Sequence, residues 1–159
     1  PAVPQRKGEH GIIVEGLSNC LVKFSKCCSP VPGDDIVGFI TRGYGVSVHR
    51  ADCPNVLRSR DNPAEAGRWI RVSWADKTSE SYHTMLQVVA KDRISLIVDV
   101  STVLSATKTR VLSLNARSTP DGFALLDLGI SVSGREQLKT VTSRLEQIQG
   151  VMKVTRPAG

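Results

Sequence analysis

Residues 124–145 read ALLDLGISVSGREQLKTVTSRL, and this stretch decides the fold of the second half of the chain. Its first nine residues place an apolar side chain at every second position, which predicts a strand with one buried face; the apolar members are Ala124, Leu126, Leu128, Ile130 and Val132. Ser133 and Glu136 then have the spacing of a capping box. Apolar residues at 138, 141, 145 and 148 follow at helical spacing. The stretch predicts a strand that leads directly into an amphipathic helix.

The sequence on either side completes a six-element unit. Before the stretch, the patterns predict a strand at residues 83–90, an amphipathic helix at 95–107, a strand at 110–117 and a turn at 119–122. After it, Gly150 ends the helical pattern and residues 151–155 predict a last strand. Strand, helix, strand, strand, helix, strand is the order of the ferredoxin-like βαββαβ fold. Because that fold hosts many functions, the topology alone assigns none.

The first half of the chain is built differently. Short β-type segments at residues 11–14, 20–24, 36–40, 46–49 and 68–74 are separated by turn residues, and Pro54 can open a short helix. Residues 1–10 are polar and aperiodic, which indicates a linker tail. The sequence therefore predicts an α+β protein with a tail at 1–10, a small β-rich module at 11–78 and the ferredoxin-like module at 79–159.

Composition narrows the class of protein. The chain has 159 residues and a net charge of +6, shared about equally between its two halves. This excess is mild, so a solvated basic surface and a nucleic-acid contact both remain open. No apolar run reaches the length of a membrane span, and no secretory signal is present. The start at Pro1, without an initiator Met, suggests a fragment of a longer protein.

Four cysteines lie at positions 20, 27, 28 and 53. Without a secretory signal the expected compartment is the reducing cytoplasm, where clustered cysteines favour a metal site over disulfides. Cys27, Cys28, His49 and Cys53 supply three thiolates and one imidazole, the ligand set of a closed tetrahedral zinc site. Adjacent cysteines can bind one ion only if the backbone turns there, and the following run of 29–33, with two prolines, supplies a turn. The alternative is three buried free cysteines and a surface histidine.

One further loop is a candidate binding site, and no catalytic set is present. Asp92 and Arg93 precede the first helix of the second module, where free backbone amides suit a small anion such as a carboxylate. The alternative is a surface turn in which Asp92 only complements the helix dipole. The sequence contains no Gly-rich phosphate loop, no Ser-His-Asp set and no carboxylate cluster, so this chain is predicted not to be an enzyme by itself.

These motifs resemble a known family. FSKCCSPVPGD at residues 24–34 and HRADCPN at 49–55 closely resemble the zinc-finger or RIS (ribosome–intersubunit) module of long Rel/SpoT-type (p)ppGpp synthetase/hydrolases. DRISLIVDV at residues 92–100 stands where the ACT domain of those proteins carries its Asp-Arg-x-Gly-Leu-Leu-x-Asp-Ile pattern. The resemblance covers nearly the whole chain from Gly11 onwards. It identifies the chain as similar to their C-terminal regulatory region.

The resemblance implies a role in the stringent response. Members of the family transfer pyrophosphate from ATP to GTP or GDP and hydrolyse the product, in catalytic domains upstream of the region that this chain resembles. Their C-terminal modules sense amino-acid starvation through ribosomal RNA and deacylated tRNA, restrain the catalytic half, and in some members bind branched-chain amino acids through the ACT domain. The implied zinc ligands are Cys27, Cys28, His49 and Cys53. ACT domains commonly pair, so a homodimer is implied as well.

The chain departs from the family pattern at Ser95, which replaces the glycine of the ACT ligand loop. Glycine lets a ligand approach the backbone closely, so amino-acid binding here is open; serine can instead cap the helix. If valine or isoleucine binds, its carboxylate is expected at the amides of Ile94, Ser95 and Leu96, beside Asp92, and its ammonium group at the side chain of Asn115. The competing hypotheses are an RNA-contacting regulatory module, an amino-acid sensor without RNA contact, and a plain dimerisation module.

Overall fold

The computed structural model describes residues 11–16, 21–43, 45–75 and 81–158. The chain divides into two units, and the second spans Ser81–Pro157. The linker tail expected at 1–10 and the module boundary expected at 78/79 lie outside the described residues and stay predictions. Among the residues that are described, every helix is too short or too polar to span a bilayer.

The first unit is built from short strands and one helix, which are β1 (Ile12–Val14), β2 (Leu21–Phe24), β3 (Ile36–Thr41), β4 (Gly45–Arg50), α1 (Pro54–Arg60), β5 (Trp69–Ile70) and β6 (Val72–Trp74). Four strands form a sheet in the order β2-β4-β3-β5, in which only the β2–β4 pair is parallel. β1 and β6 form a separate antiparallel pair. Their apolar faces meet in a small aliphatic core of Ile12, Val14, Val22, Val46, Val48 and Val72.

The segment at 68–74, predicted as one strand, is two strands that belong to different sheets. Trp69–Ile70 pairs with β3, whereas Val72–Trp74 pairs with β1. A single turn of 3₁₀ helix, Ala66–Arg68, precedes them. The alternation of apolar residues persists through the break because both short strands bury a face, so the sequence pattern alone did not reveal it.

The second unit has the predicted ferredoxin-like fold. Its elements are β7 (Tyr82–Lys91), α2 (Leu96–Ala106), β8 (Arg110–Ser118), β9 (Phe123–Val132), α3 (Arg135–Glu146) and β10 (Val151–Thr155). The strands form an antiparallel sheet in the order β10-β7-β9-β8. Alternate residues of β7 and β9 are buried beneath the two helices, as the period of two in residues 124–132 predicts. The mixed α+β fold class is thus confirmed.

Edge strand β8 differs from its predicted pattern. Its register against β9 shifts between Val111 and Ser113, so Leu112 is an extra residue in a bulge. Val111 and Leu114 therefore lie opposite the buried Ile130 and Leu128, and every residue of the strand is exposed. The alternation of Leu112, Leu114 and Ala116 in the sequence suggests that they share one side of the strand, but a period of two holds only in an unbroken ladder, and the bulge removes Leu112 from it.

The start of α3 also corrects a prediction. The residue before the helix is Gly134, and no side chain caps the first turn. Ser133 bonds instead to Gln137, whose side-chain oxygen accepts from the Ser133 amide at 2.9 Å and from its hydroxyl at 3.1 Å. The interaction predicted between Ser133 and Glu136 is therefore made one residue later, since the chain enters the helix at Gly134.

Candidate metal centre and ligand loop

A tight turn places the two adjacent cysteines. The Ser29 amide donates to the Ser25 carbonyl at 2.9 Å, and Ser29 has a left-handed φ of 45°. Cys27 and Cys28 lie inside this turn, so both thiols can point to one centre, which an extended strand would forbid. The sequence predicted a turn from the proline run after the cysteines. The structure corrects its position to 25–29, and the proline segment forms a second turn in which the Asp34 carboxylate accepts from the Val31 amide at 2.9 Å.

The other two side chains come from the strand and helix that follow. His49 lies near the end of β4 and pairs with Val37 of β3. Cys53 immediately precedes α1, and its carbonyl accepts from the Val56 and Leu57 amides at the start of that helix. Pro54 in the first helical position needs no hydrogen-bond partner for its nitrogen. The turn at 25–29, strand β4 and helix α1 thereby converge on one point.

The four predicted ligands converge there, with their ligand atoms all within 4.8 Å of one another. The sulfur of Cys27 lies 3.8 Å from that of Cys28 and 3.6 Å from that of Cys53. His49 Nδ1 lies 3.4 Å from the Cys27 sulfur and 3.8 Å from the Cys28 sulfur. Zinc bond lengths of 2.3 Å to sulfur and 2.0–2.1 Å to nitrogen imply tetrahedral edges of about 3.8 Å and about 3.5 Å. The cluster has the size of a zinc tetrahedron, so a metal ion fits; its binding stays a prediction.

The electrostatics of the cluster favour a cation. Burial raises the pKa of Cys28 to about 12, although the Arg50 amide, which donates to its sulfur at 3.3 Å, lowers it; charge on Cys53 and Cys27 raises it further. Burial also lowers the pKa of His49, so its imidazole stays neutral, as a metal ligand must. Cys28 and Cys53 are buried and Cys27 is half-buried, so a divalent ion at the centre would supply the positive charge that thiolate ligands there require.

Two neighbours of the centre were not predicted from the sequence. Trp69 packs against Cys28, Cys53 and Val56, and its ring meets the His49 ring edge-on at a centroid distance of 6.2 Å. Arg50 supplies the amide bonded to Cys28, and its guanidinium is held by Asp52 at 3.0 Å. Because Arg50 directly follows His49 in the sequence, its backbone amide could have been expected near the cluster. Nothing in the local pattern connects Trp69 to a site 16 residues away.

The predicted ligand loop of the second unit is already braced by its own arginine. Arg93 donates to the Gln149 carbonyl at 3.0 Å, to the Ile94 carbonyl at 3.2 Å and to the Asp99 carboxylate at 2.6 Å. Its own carbonyl accepts a long, 3.4 Å bond from the Leu96 amide. Sequence reasoning assigned Arg93 no role. Arg93 lies just before α2 and Asp99 lies in its first turn, six residues later, and this spacing could have predicted their ion pair.

The remaining predicted loop residues lie at the surface. Ser95 has a left-handed φ of 72° and makes no side-chain cap, so the suggestion that it caps α2 was wrong. Asp92 and Ile94 are exposed, and the Asp92 amide donates to the Gly122 carbonyl. Because Ser95 adopts the conformation that glycine favours, the backbone follows the path a glycine would give it.

Asn115 is not part of this loop within one chain. It pairs with Asp127 of β9, which in turn lies beside Gln87 of β7. Gln87 lies four residues before Lys91, the end of β7 that leads into the ligand loop. The row that contains Asn115 is therefore about 13 Å along the strand from that loop. The row also faces away from the helices, since the flanking residues Leu126 and Leu128 carry the buried face. The structure therefore brings Ile94, Ser95 and Leu96 together and leaves Asn115 apart.

Known proteins match both units. Residues 12–75 match the family model described as the RelA/SpoT RIS domain, and residues 78–156 match an ACT domain. The chain is 36% identical over 159 residues to the GTP pyrophosphokinase of Escherichia coli. It is also 36% identical over 156 residues to the bifunctional (p)ppGpp synthase/hydrolase RelA of Mycobacterium tuberculosis. Each match covers 98% of this chain and 21% of the relative. It thus spans about a fifth of these relatives. The ACT domain of the Chlorobium tepidum GTP pyrophosphokinase is similar in structure, with 23% identity and a TM-score of 0.44 over 48% of this chain and 99% of that one.

Proposed function

Because the chain belongs to the RelA/SpoT family through its RIS and ACT domains, we propose that it serves a (p)ppGpp synthetase/hydrolase as a sensor of amino-acid starvation. In this proposal the two domains contact ribosomal RNA and deacylated tRNA in the cytoplasm and control catalytic domains elsewhere in the protein. The pyrophosphate transfer belongs to those domains, and this chain does not catalyse it. The observation that carries the proposal is the Cys27, Cys28, His49 and Cys53 cluster, set within the RIS match.

We propose that the cluster holds a structural Zn²⁺. Four protein ligands close the coordination shell, so the ion provides cross-linking and no open position for a substrate. It would join the turn at 25–29, the end of β4 and the start of α1 into one rigid surface. The edge lengths of the cluster and the neutral His49 support this assignment. A rigid RIS surface is what a large, preformed partner such as the ribosome requires.

A second role, direct binding of valine or isoleucine, is favoured by one observation. Ser95 keeps the left-handed conformation of the glycine that the ACT loop usually has, and its side chain is exposed. A carboxylate at the Ile94, Ser95 and Leu96 amides remains feasible, whereas Asn115 could reach it only from a second copy of the chain. The exposed edge of β8, with apolar Val111, Leu112 and Leu114, supports a homodimer through the ACT domain.

Co-sedimentation with purified bacterial ribosomes tests the main proposal. The chain is expected to pellet with ribosomes, more so when deacylated tRNA is present, and to be released steeply as salt increases because phosphate contacts displace counterions. Cys53→Ser should weaken the association, since it removes one ligand of the cluster. Failure of the folded chain to pellet under any of these conditions would contradict an RNA-contacting role.

Calorimetry with valine and isoleucine tests the second role independently. Binding to the unmodified chain and its loss in Ser95→Phe would support the ACT site, because the bulky ring would close the loop. Ser95→Gly is the matched control and should bind at least as well. No heat from either amino acid at millimolar concentration would exclude the ligand role and leave ribosome association as the candidate.

A further inference from the structure

Cys27 differs from the other two cysteines of the cluster in its access to solvent. Cys28 and Cys53 are buried, whereas Cys27 is half-buried. Val56 and Trp69 pack against the buried pair and help to cover it. The susceptibility of a thiol to oxidation rises with its exposure. Of the three thiols, Cys27 is therefore the one most open to a small oxidant.

The distances offer Cys27 a partner in a separate element of the fold. Its sulfur lies 3.6 Å from that of Cys53, which is 26 residues away in the sequence. A disulfide needs its sulfurs about 2.0 Å apart, so the two side chains would approach by about 1.6 Å. Cys27 belongs to the turn at 25–29 and Cys53 directly precedes α1, so this bond would join the turn to the helix.

The adjacent Cys28 is a poorer partner, although its sulfur lies 3.8 Å from that of Cys27. Neighbouring residues joined by a trans peptide have Cα atoms about 3.8 Å apart, whereas disulfides span Cα distances of about 4.4–6.8 Å. The Cys28 sulfur also accepts from the Arg50 amide at 3.3 Å, which holds it in place. The geometry therefore favours Cys53 over Cys28 as the partner of Cys27.

We propose that Cys27 and Cys53 form a reversible disulfide when the chain meets hydrogen peroxide. The Cys27 sulfur first attacks the peroxide: an S–O bond forms, the O–O bond breaks, and one water leaves with the thiol proton. The Cys53 sulfur then attacks the Cys27 sulfenic acid: the S–S bond forms, the S–O bond breaks, and a second water leaves. The two thiols together lose two electrons, and the peroxide is reduced to two waters.

This modification removes two of the four predicted metal ligands. Cys28 and His49 remain, and two ligands are too few to close a tetrahedral shell. The new bond still ties the turn at 25–29 to the start of α1, whereas the end of β4 loses its link to both. The loss of metal rests on the proposed structural Zn²⁺, but the disulfide rests on the sulfur geometry alone. A dithiol reductant reverses the reaction by thiol–disulfide exchange.

Peptide mapping of the 159-residue chain, treated with hydrogen peroxide in zinc-containing buffer, tests the inference. Titratable thiols should fall from four to two, and dithiothreitol should restore all four. Digestion without reductant, followed by mass spectrometry, should give one cross-linked pair of peptides that contain Cys27 and Cys53. The cross-linked chain, after gel filtration, should have lost its zinc. Oxidation in denaturant is the control for folding and should give mixed pairs that include Cys20.

Two variants that each lack one cluster ligand are matched to each other. Cys27→Ser should abolish the cross-link, whereas Cys28→Ser should keep it, because Cys27 and Cys53 both remain. Tryptophan fluorescence shows whether each variant is folded, and if either is not, the map of the unmodified chain decides.

A Cys27–Cys28 bond or a bond to Cys20 as the main product would overturn the inference, as would thiols that peroxide leaves intact. A cross-linked chain that keeps its zinc would overturn the predicted loss of metal. If the reduced chain holds no zinc, the proposed metal fails, and the cross-link map still decides whether the disulfide forms.

Discussion

The two units of the chain are stabilised by different means. In the second unit, two helices cover one face of a continuous four-stranded sheet, and its buried side chains form a layer of Leu, Ile and Val. The first unit divides its strands between two sheets, and its main core has six buried aliphatic residues with the half-buried Phe24, Ile36, Ile70 and Trp74 packed against them. A core of that size rarely stabilises a domain by itself. The cluster of Cys27, Cys28, His49 and Cys53 lies in this unit, where a bound metal would add stability that a small core does not supply.

Removal of one cluster ligand should have the largest effect. Cys53→Ser, or chelation of metal, is expected to unfold the first unit and leave the second folded, because zinc binding contributes on the order of 10 kcal/mol to small zinc domains. Both tryptophans, Trp69 and Trp74, belong to the first unit, so their fluorescence follows that unit alone. Circular dichroism would report mainly α2 and α3 of the second unit, because the seven-residue α1 of the first unit contributes a smaller helical signal.

Cys20→Ser provides the control for that experiment, since Cys20 is outside the predicted ligand set. Two outcomes would show that the cluster does not stabilise the unit through a metal. One is equal destabilisation by Cys20→Ser and Cys53→Ser. The other is an unfolding transition, followed by tryptophan fluorescence, that a chelator does not shift.

Truncation in the second core should have the next largest effect. Leu128 is fully buried in β9, and Leu128→Ala should lower the free energy of unfolding by about 2–5 kcal/mol through lost burial and the remaining cavity. The melting of the helices by circular dichroism measures it, with tryptophan fluorescence unchanged. Leu114→Ala removes the same atoms from the partner position on β8, where the side chain is 43% exposed, and should cost about 1 kcal/mol. Similar losses for both would mean that β8 is covered in solution.

The smallest expected effect concerns packing in the first unit. A Cβ at Gly38 would lie 2.8 Å from side-chain atoms of both Val46 and Val72, so Gly38→Ala should destabilise the unit by about 1–3 kcal/mol. Gly67→Ala is the control, because a Cβ there would meet no atom within 4 Å. Denaturant titration followed by tryptophan fluorescence measures both. A neutral Gly38→Ala would mean that the small core has room to adjust.

Much of the fold could be predicted because long elements bury one face continuously. Residues 124–132 predicted β9 within one residue of its observed start, and the spacing around Val100 predicted α2. Local irregularities could not be predicted. The bulge at Leu112 sets Ser113 opposite Gly129, where the missing Cβ leaves room for the hydroxyl, and that relation exists only after the strands pair.

The cluster was the predictable part of the candidate site, because cysteine and histidine side chains suit a metal ion whatever the fold. Its surroundings depended on tertiary structure. Arg68 reaches Phe39 and Ile40 across 28 or 29 residues of sequence, and the strand break at Arg71 decides which sheet Trp69 joins. Arg93 was missed for a similar reason, since its bond to the Gln149 carbonyl links opposite ends of the second unit's sequence.

The charges at the two ends of β8 have a consequence for how copies of this chain can associate. In a parallel, in-register stack of the kind found in amyloid, Arg110 would face Arg110 and Arg117 would face Arg117, and like charges in direct opposition are unfavourable. Two copies paired antiparallel about Leu114 would instead set Arg117 against Val111 and Arg110 against Ser118. Pairing at the exposed edge of β8 is thus unfavourable in a parallel fibril and permitted in an antiparallel dimer. We expect this difference to protect the nine exposed residues of β8 from aggregation.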